Sequence, residues 1–427
     1  SPDFTNPLSY KGLTTTNGQI NKIYLLAGSG TISIPAKKGD LITIKGCYQM
    51  KFQFESEEII DTKSGSTGTI ESYTYIYNGE ASTATINVSG TTYFTSISAV
   101  TPESYVATIY VGATREYTTV TEAMAAIRKM NRPTGESGRV TIKIDPGNYE
   151  EMPVIDADYI TLKNAASDPS IALNNKGVDI DENAVRITSY YGEGYSYFSC
   201  GADNKWNERV LAVSKENGIN TYACEGGSTN ESYWNATVVV KGSNFIAEDI
   251  IFENSFNQYI SAKEADDVLI NEKGDNPSAT KVENGLIRPK TLYSTEVQDK
   301  KYVERAAAIA IIGDRAVLNH CAVVGRQDSF YGHVKVRVAC YKCELYGATD
   351  YIFGSQDMIV YDSKLVMNTS DDKNDQAYLI ALKAPSYKGS LFMNCTVTST
   401  TPGINTASKY KSKPGNFGRP WETTENA

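Results

Sequence analysis

The chain has 427 residues, 41% of them hydrophobic and 21% charged, with a formal net charge of -9. That length allows a small domain followed by a long solenoid. The acidic balance argues against a nucleic-acid partner, and no apolar run approaches the roughly 20 residues that span a bilayer. The first residues, Ser1-Pro2-Asp3-Phe4, lack the features of a signal peptide, so either the chain works inside a cell or a signal has been removed.

Residues 1–104 are predicted to form an all-β accessory domain, a small β-sandwich or jelly roll. Apolar and polar residues alternate at 22–26, 31–34, 41–44 and 84–88, and turn-forming residues separate these stretches. Tyr73, Tyr75 and Tyr77 also alternate, and this pattern favours ordinary packing over a sugar-binding surface. The segment 101–104 is the predicted joint to the rest of the chain.

Residues 105–427 show a different pattern. An Ala-rich amphipathic segment at 122–130 predicts a short helix, and the alternation at 141–144 predicts a strand. Short apolar strands with polar corners then recur at 160–162, 236–240, 245–252, 307–312, 321–324, 343–346, 358–361 and 391–397. This recurrence predicts the stacked coils of a parallel β-helix, with a β-sandwich as the alternative. The charged segment 257–303 is predicted to be a surface excursion, placed where it could border a substrate groove.

Two aspartates are the predicted reactive groups. Asp328 lies in G-R-Q-D-S-F-Y-G-H and Asp350 lies in G-A-T-D-Y-I-F-G, 22 residues later. That interval is one coil of a parallel β-helix, which would place the two side chains on adjacent coils, roughly 4.8 Å apart along the stack. Two carboxylates that close cannot both ionise freely, so one is expected to be a neutral acid and the other an anion. The pair would supply a proton donor and a nucleophile.

Other reaction chemistries find little support in the composition. The two histidines, His320 and His333, lie in no recognisable triad or metal motif. The seven cysteines lack the tight spacing of a disulfide framework, and Cys340 and Cys343 form a C-x-x-C without the second pair that a zinc site needs. Cys321 and Cys343 are again 22 residues apart and are expected to stack in the wall of the β-helix. No metal and no other cofactor is predicted.

From residue 107 onward the motifs resemble those of the pectin methylesterase family, carbohydrate esterases that fold as a right-handed parallel β-helix. The matching segments occur in the family's order, at 117–127, 140–151, 236–254, 313–316 (G-D-R-A), 327–331 (Q-D-S-F-Y), 347–354 and 418–421 (G-R-P-W). They span about three quarters of the chain. The predicted fold is therefore all-β, a right-handed parallel β-helix preceded by a small N-terminal β-sandwich.

The resemblance implies a role for each matching residue. Asp350 would be the nucleophile that attacks a methyl-ester carbonyl, and Asp328 would be the acid that protonates the departing methanol and then activates water. Gln327 would face the developing oxyanion. Arg419 would pair with Asp350 and hold it ionised and oriented. Three aromatic residues would contact the sugar, although core packing is an equal alternative for the last two: Trp421, Tyr331 and Phe353.

Two features depart from the family pattern. Arg305 stands where the family usually has a second glutamine. It could donate to the oxyanion, clamp a substrate carboxylate, or pair with Asp328 and weaken it as an acid; losing one oxyanion donor costs about 100- to 1000-fold in rate. The chain also ends six residues after Trp421, where family members continue, so C-terminal coils are expected to be missing.

The predicted function is that of a secreted or cell-surface pectin methylesterase, a carboxylic ester hydrolase. It would act as a monomer and without metal on methyl-esterified polygalacturonan, with no nucleic-acid or membrane partner. The alternative is a non-catalytic polysaccharide-binding or inactive relative with the same fold, which Arg305 and the missing end favour. A lyase ranks third, because it would need an unpaired Arg or Lys as base.

Overall fold

The computed structural model describes residues 8–10, 13–15, 19–20, 25–64, 70–192, 236–266, 291–298, 305–369, 377–382, 388–398 and 415–419. The chain forms two compact units. The first comprises Ser1–Tyr105 with Lys129–Asn131, and the second comprises Val106–Arg128 with Arg132–Ala427. No helix in the described part of the chain has the length and apolar character needed to cross a membrane.

The first unit is a sandwich of two antiparallel sheets. Its strands are β1 (Leu8–Tyr10), β2 (Leu13–Thr15), β3 (Gln19–Ile20), β4 (Leu25–Ala27), β5 (Gly30–Pro35), β6 (Leu41–Cys47), β7 (Gln49–Phe54), β8 (Ile60–Lys63), β9 (Ile70–Ile76), β10 (Thr83–Val88) and β11 (Thr92–Val100). One sheet has the strand order β1-β2-β5-β10-β7-β8 and the other has the order β3-β4-β11-β6-β9. Alternate residues of both sheets, among them Ile34, Ile44 and Phe52, meet in one buried core.

The three alternating tyrosines of this unit take part in its packing. Tyr77 is buried and donates its hydroxyl hydrogen bond to backbone carbonyls. The rings of Tyr73 and Tyr75 pack on those of Phe52 and Phe54, with centroids 5.7 and 4.8 Å apart. These contacts support the packing interpretation of the tyrosine pattern.

The second unit is a parallel β-helix whose strands form three parallel sheets. The first sheet contains β12 (Thr108–Val111), β13 (Val140–Ile144), β16 (Ile160–Asn164), β21 (Ile246–Glu248), β24 (Ala316–Asn319), β27 (Arg337–Tyr341), β30 (Asp357–Tyr361) and β33 (Ser390–Met393). The second contains β14 (Gly147–Glu150), β19 (Val185–Ser189), β22 (Ile250–Asn254), β25 (Ala322–Val324), β28 (Glu344–Gly347), β31 (Lys364–Met367) and β34 (Thr396–Thr398). The third contains β15 (Val154–Ile155), β20 (Val238–Val240), β23 (Ile309–Ile311), β26 (Phe330–Gly332), β29 (Ile352–Gly354), β32 (Ala377–Leu382) and β35 (Gly415–Gly418).

Shorter elements complete this unit. They are helices α1 (Val120–Ile127) and α2 (Ala262–Asp266), the antiparallel ribbon β17 (Leu173–Asn174) and β18 (Asp179–Ile180), and 3-10 turns at Gly135–Gly138, Asn175–Gly177 and Ser255–Asn257. The helix predicted at 122–130 therefore begins and ends slightly earlier. The prediction of an all-β fold, with a parallel β-helix after an N-terminal sandwich, is confirmed.

Successive coils stack in a fixed register. In the third sheet Phe330 pairs with Ile352, and in the second sheet Ala322 pairs with Glu344, so both offsets are 22 residues. Cys321 and Cys343 therefore stack one coil apart, both buried. Each coil buries its inward side chains only against its neighbours, which is why the interval recurs in the sequence.

Two predicted strands are wrong, because each is two strands separated by a bend. The prediction at 245–252 spans β21 and β22, which Asp249 separates with a φ of 60°. The prediction at 391–397 spans β33 and β34, with Asn394 between them at a φ of 52°. A single residue in the left-handed region turns the chain from the first sheet to the second, and Asp and Asn tolerate that region better than most residues.

The predicted surface excursion at 257–303 is described only at residues 257–266 and 291–298. There, Tyr259, Ile260 and Val297 are buried, whereas Leu292 and Tyr293 are exposed, so the described ends are anchored at some residues and open to solvent at others. Tyr259 donates a hydrogen bond of 2.8 Å to the carboxylate of Glu253 in the second sheet. This contact holds the start of the excursion against the β-helix.

Candidate active site

The two aspartates lie at the same corner of successive coils, where the chain passes from the second sheet to the third. Asp328 lies between β25 and β26, and Asp350 lies between β28 and β29. The strand registers on both sides of this corner keep the same offset, so Asp350 stacks on Asp328. The backbone N–H of Asp328 donates to the carbonyl of Thr349 at 3.2 Å. The structure thus places the two candidate reactive groups on adjacent coils.

Both aspartates have a left-handed backbone, with φ of 59° at Asp328 and 54° at Asp350. This conformation costs free energy in residues with a Cβ and persists where the surroundings impose it, often at functional sites. Because the same bend recurs one coil later, the two side chains leave the backbone in the same direction. Each aspartate is 5% exposed, so the pair lies just below the surface.

Glycines beside Asp350 make this corner possible. A Cβ on Gly347 would lie 1.9 Å from the Cβ of Tyr351, the buried residue that follows Asp350. Gly354 has a φ of 111°, and a Cβ there would lie 2.1 Å from the carbonyl oxygen of Gly332. The glycines that frame the second aspartate motif are therefore required by space and by backbone conformation.

Arg419 pairs with Asp350 through both ends of its guanidinium. Its Nε donates to Oδ1 at 2.7 Å and its Nη2 donates to Oδ2 at 2.5 Å, across 69 residues of sequence. The hydrogen bonds to Asp350 raise the pKa of Arg419 above its usual value. The guanidinium also lies 4.7 Å from the ring centroid of Tyr378, and the backbone N–H of Arg419 donates to the carbonyl of Ile380. This fork fixes the plane of the Asp350 carboxylate.

Gln327 and Arg305 lie side by side on adjacent coils. They form an isolated parallel bridge, and the N–H of Ala306 donates to the carbonyl of Gln327 at 3.2 Å. Both side chains are partly buried. The arginine that replaces the family's glutamine therefore precedes Gln327 by one coil, at the same corner as the aspartates.

The predicted aromatic residues of the cleft are packed against other side chains. The rings of Tyr331 and Phe353 have centroids 5.0 Å apart, and the residues are 9% and 1% exposed. They belong to a buried cluster on one face of the third sheet that also includes Met152, Tyr190 and Tyr191. The two rings form part of an apolar floor, and not open walls of a cleft. Trp421 lies outside the described residues.

Proteins with similar sequences include pectinesterases. Residues 298–425 match the family model described as Pectinesterase. A pectinesterase of Petunia integrifolia is 24% identical over 287 residues, which cover 59% of this chain and 74% of that protein. Residues 298–425, which contain both aspartates and Arg419, are therefore similar to the pectinesterase family. The resemblance that the motifs indicate is thus confirmed.

Other similar proteins match over shorter or more divergent regions. The Arabidopsis thaliana protein named "Probable pectinesterase/pectinesterase inhibitor 61" is 31% identical over 121 residues, 28% of this chain and 20% of that protein. The solved pectin methylesterase of Erwinia chrysanthemi is 18% identical, with a TM-score of 0.45, over 75% of this chain and 72% of that one.

Sequence reasoning missed the buried polar residues that support the aspartate corner. Arg326 is fully buried, and its Nη1 donates to the carbonyl of Asn368 at 2.9 Å. The side-chain amide of Asn368 donates to the carbonyl of Gly325 at 3.1 Å and to Oε1 of Gln258 at 3.0 Å. Two coils and the start of the excursion are thereby joined beneath the site. The sequence signal for this support was Arg326, which directly precedes Gln327 and Asp328. From the sequence alone, an arginine at that position could equally well be exposed to solvent.

His320, Cys340 and Cys343 lie away from the aspartate corner. In the described part of the chain, no three His, Cys, Asp or Glu side chains are grouped to hold a metal ion. His320 pairs with Asp249 at 2.6 Å on a different corner, between the first and second sheets. Cys340 and Cys343 are buried in the wall.

Proposed function

We propose that this chain is a pectin methylesterase, which hydrolyses the methyl esters of polygalacturonan to methanol and de-esterified pectin. The observation that carries the proposal is the stacking of Asp350 on Asp328. The carboxylate of Asp350 is held by two nitrogens of the Arg419 guanidinium, Nε and Nη2. Similarity to proteins that are named pectinesterases supports the same substrate.

Asp350 is the proposed nucleophile. Each of its carboxylate oxygens accepts one hydrogen bond from Arg419, and a carboxylate oxygen keeps a further lone pair for attack. Attack on the ester carbonyl forms a carbon–oxygen bond and an oxyanion; collapse of the oxyanion expels methoxide and leaves an acyl-enzyme anhydride.

Asp328 is the proposed acid and base. In its neutral form it gives its proton to the departing methoxide, and methanol leaves. The resulting carboxylate then takes a proton from a water molecule, whose oxygen attacks the anhydride; the anhydride bond breaks to give the Asp350 carboxylate and the uronic acid, which loses its proton to solvent. The adjacent coil position suits this exchange, because it places both carboxyl groups at the same corner.

Gln327 and Arg305 are the proposed donors to the oxyanion. They lie on adjacent coils at the corner that carries the aspartates. An arginine there would donate with a full positive charge, which stabilises a developing negative charge in a partly desolvated site. The same arginine is the one observation that favours the second candidate, a polysaccharide-binding relative without esterase activity.

We propose further that the protein acts as a monomer outside the cell, where its polymeric substrate occurs. Asp328, Asp350 and Arg419 all belong to one chain, which supports a monomeric site. The net charge of -9 speaks against a nucleic-acid partner.

The test is methanol and acid release from methylated pectin by the wild type and by an Asp350→Asn variant. Loss of the nucleophile should lower kcat by more than about 10⁴-fold. Asp362→Asn is the matched control, because Asp362 has a similar φ of 50° at a corner between the first and second sheets. Esterase activity that survives in Asp350→Asn refutes the nucleophile. A folded wild type that binds pectin and releases no methanol favours the second candidate.

A further inference from the structure

A cavity lies on earlier coils of the β-helix, on the side that carries the aspartate corner. Its volume is about 400 Å³, and it is formed where the start of α1 meets the ends of β14 and β19. Two tyrosines, a lysine and three glutamates supply most of its chemistry: Tyr190, Tyr191, Lys263, Glu122, Glu150 and Glu151. None of these residues has a role in the chemical steps proposed above.

The tyrosines connect this pocket to the proposed active site. Tyr190 and Tyr191 are stacked, with ring centroids 4.4 Å apart and an interplanar angle of 28°. They belong to the same buried cluster as Tyr331 and Phe353, so one apolar floor runs from the pocket to the catalytic coils. Tyr190 follows β19 and Asp350 follows β28, three coils later in the second sheet. Three strand spacings correspond to roughly 14 Å along the axis, a distance that a short oligosaccharide would span.

The three carboxylates are held in place by the protein. Glu151 accepts the N–H groups of Val120 and Thr121, at 2.8 and 2.9 Å, at the start of α1. Glu122 accepts the N–H of Thr118 at 2.7 Å, and the hydrogen bonds from Thr118 lower its pKa, so it stays charged near neutral pH. These bonds fix the negative charges at the pocket wall.

The third carboxylate, that of Glu150, and the ammonium of Lys263 also line the pocket. The carboxylate of Glu150 accepts a hydrogen bond from the hydroxyl of Ser261. The ammonium of Lys263 donates to the backbone carbonyl of Glu150, and its positive charge also attracts the carboxylate of that residue. With three glutamates and one lysine, the formal charge of the lining is -2; burial raises the pKa of one of these carboxylates, that of Glu150, above its usual value.

The net negative charge of the lining determines whether the pocket favours a free uronate or its neutral methyl ester. A free uronate would add a third net negative charge close to carboxylates that cannot move away, which is unfavourable even in water. A methyl-esterified unit is neutral, and its apolar ring face and methyl group suit a tyrosine wall.

We propose that the pocket is a distal substrate subsite that accepts a methyl-esterified sugar unit and rejects a free uronate. The inference rests on the proposed function, because it assumes that the polymer lies across the aspartate corner. Its consequence is that the enzyme prefers esters that lie near other esters.

The test separates this inference from catalysis by measuring binding. Calorimetry would compare fully methyl-esterified and fully de-esterified hexagalacturonate on an Asp350→Asn background, which removes turnover. The methylated sugar should bind more tightly. Adding Glu150→Gln and Glu151→Gln should lower the ratio of the two affinities by about 25-fold, since one unit charge at 4 Å in water is worth roughly a factor of five and two are removed.

Lys263→Met removes a positive charge at an exposed side chain, which weakens binding of the free acid. It should therefore raise that ratio by about fivefold. Glu182→Gln removes an exposed carboxylate just before β19 and outside the pocket, and should leave the ratio within about twofold. The inference is overturned if the glutamine pair and the lysine change shift the ratio no more than Glu182→Gln does, or if the wild-type preference is for the free acid. Failure of the proposed function shows separately, as a wild type that releases no methanol.

Discussion

Replacement of Arg419 by lysine is the sharpest test of the proposed catalytic geometry. Lysine keeps the positive charge but replaces a planar fork by a single donor point. The two hydrogen bonds of 2.7 and 2.5 Å to Asp350 would become one. The variant therefore asks whether the orientation of the carboxylate matters, or only its pairing with a cation.

The magnitude follows from the contacts. A hydrogen bond to a charged group contributes about 1.5 to 3 kcal/mol, and the lower end applies here because the Arg419 side chain is 44% exposed. Losing one bond should cost about 1.5 kcal/mol, or roughly tenfold in kcat. Arg419→Ala loses both bonds and leaves the buried carboxylate of Asp350 without this cation, so the loss should be roughly 100-fold or more.

The assay is the initial rate of methanol release from highly methylated pectin, with kcat and KM determined separately. The loss should appear mainly in kcat, because Asp350 acts in the chemical step. Arg337→Lys is the matched control, since the exposed Arg337, at the start of β27 in the first sheet, pairs with Asp314 through a similar fork. A kcat for Arg419→Lys within twofold of wild type, or an equal loss in Arg337→Lys, would refute the argument.

Three further changes test the oxyanion donors, the corner and the core. Arg305→Ala should lower kcat by about 100- to 1000-fold while Arg305→Gln keeps most of the rate; equal rates in all three proteins would remove Arg305 from the site. Gly347→Ala should destabilise the protein by about 1–3 kcal/mol in urea unfolding, because its Cβ would lie 1.9 Å from the Cβ of Tyr351. Gly135→Ala meets nothing within 4 Å and should cost only the left-handed backbone, about 1–2 kcal/mol. Glu253→Gln should cost about 3 kcal/mol, because it removes the buried carboxylate that faces Arg186 at 3.5 Å and accepts from Thr188 and Tyr259. Glu248→Gln, which breaks a half-exposed pair with Lys163, should cost less than about 1 kcal/mol, and equal losses in the two variants would contradict this account of Glu253.

Much of the β-helix was predictable, because stacked coils repeat their chemistry at a fixed interval. The interval from Asp328 to Asp350 gave the coil length, and the same offset placed Cys321 on Cys343. The bend at Asp249 was not predictable from periodicity, since the apolar alternation continues on both sides of a single left-handed residue. Short strands such as β26 and β29 are too brief to give a periodic signal of their own.

The site was predictable in its residues and less so in its surroundings. The pairing of Arg419 with Asp350 spans 69 residues, and only the family resemblance pointed to it. Nothing local marks Arg326 as buried or Tyr190 as part of the floor beneath Phe353, because these contacts join coils that are far apart in sequence. Burial of an arginine depends on partners such as Asn368, which no spacing rule connects to it.

The architecture also explains why the functional groups gather at one corner. Between the first and second sheets, every corner from β21 onward has one or two residues, such as Asp249 between β21 and β22, and only the earlier connection at 165–184 is longer. Between the second and third sheets the connections vary widely, from residues 348–351 at Asp350 to residues 190–237 and 255–308 on earlier coils. Stacking fixes the strands of a solenoid but not the lengths of its corners, so chemistry and specificity can be added there without disturbing the register. The aspartates, Arg305 and the tyrosine pocket all lie along this one variable corner, and substitutions that alter substrate choice should therefore map to it, whereas those in the first sheet should alter stability alone.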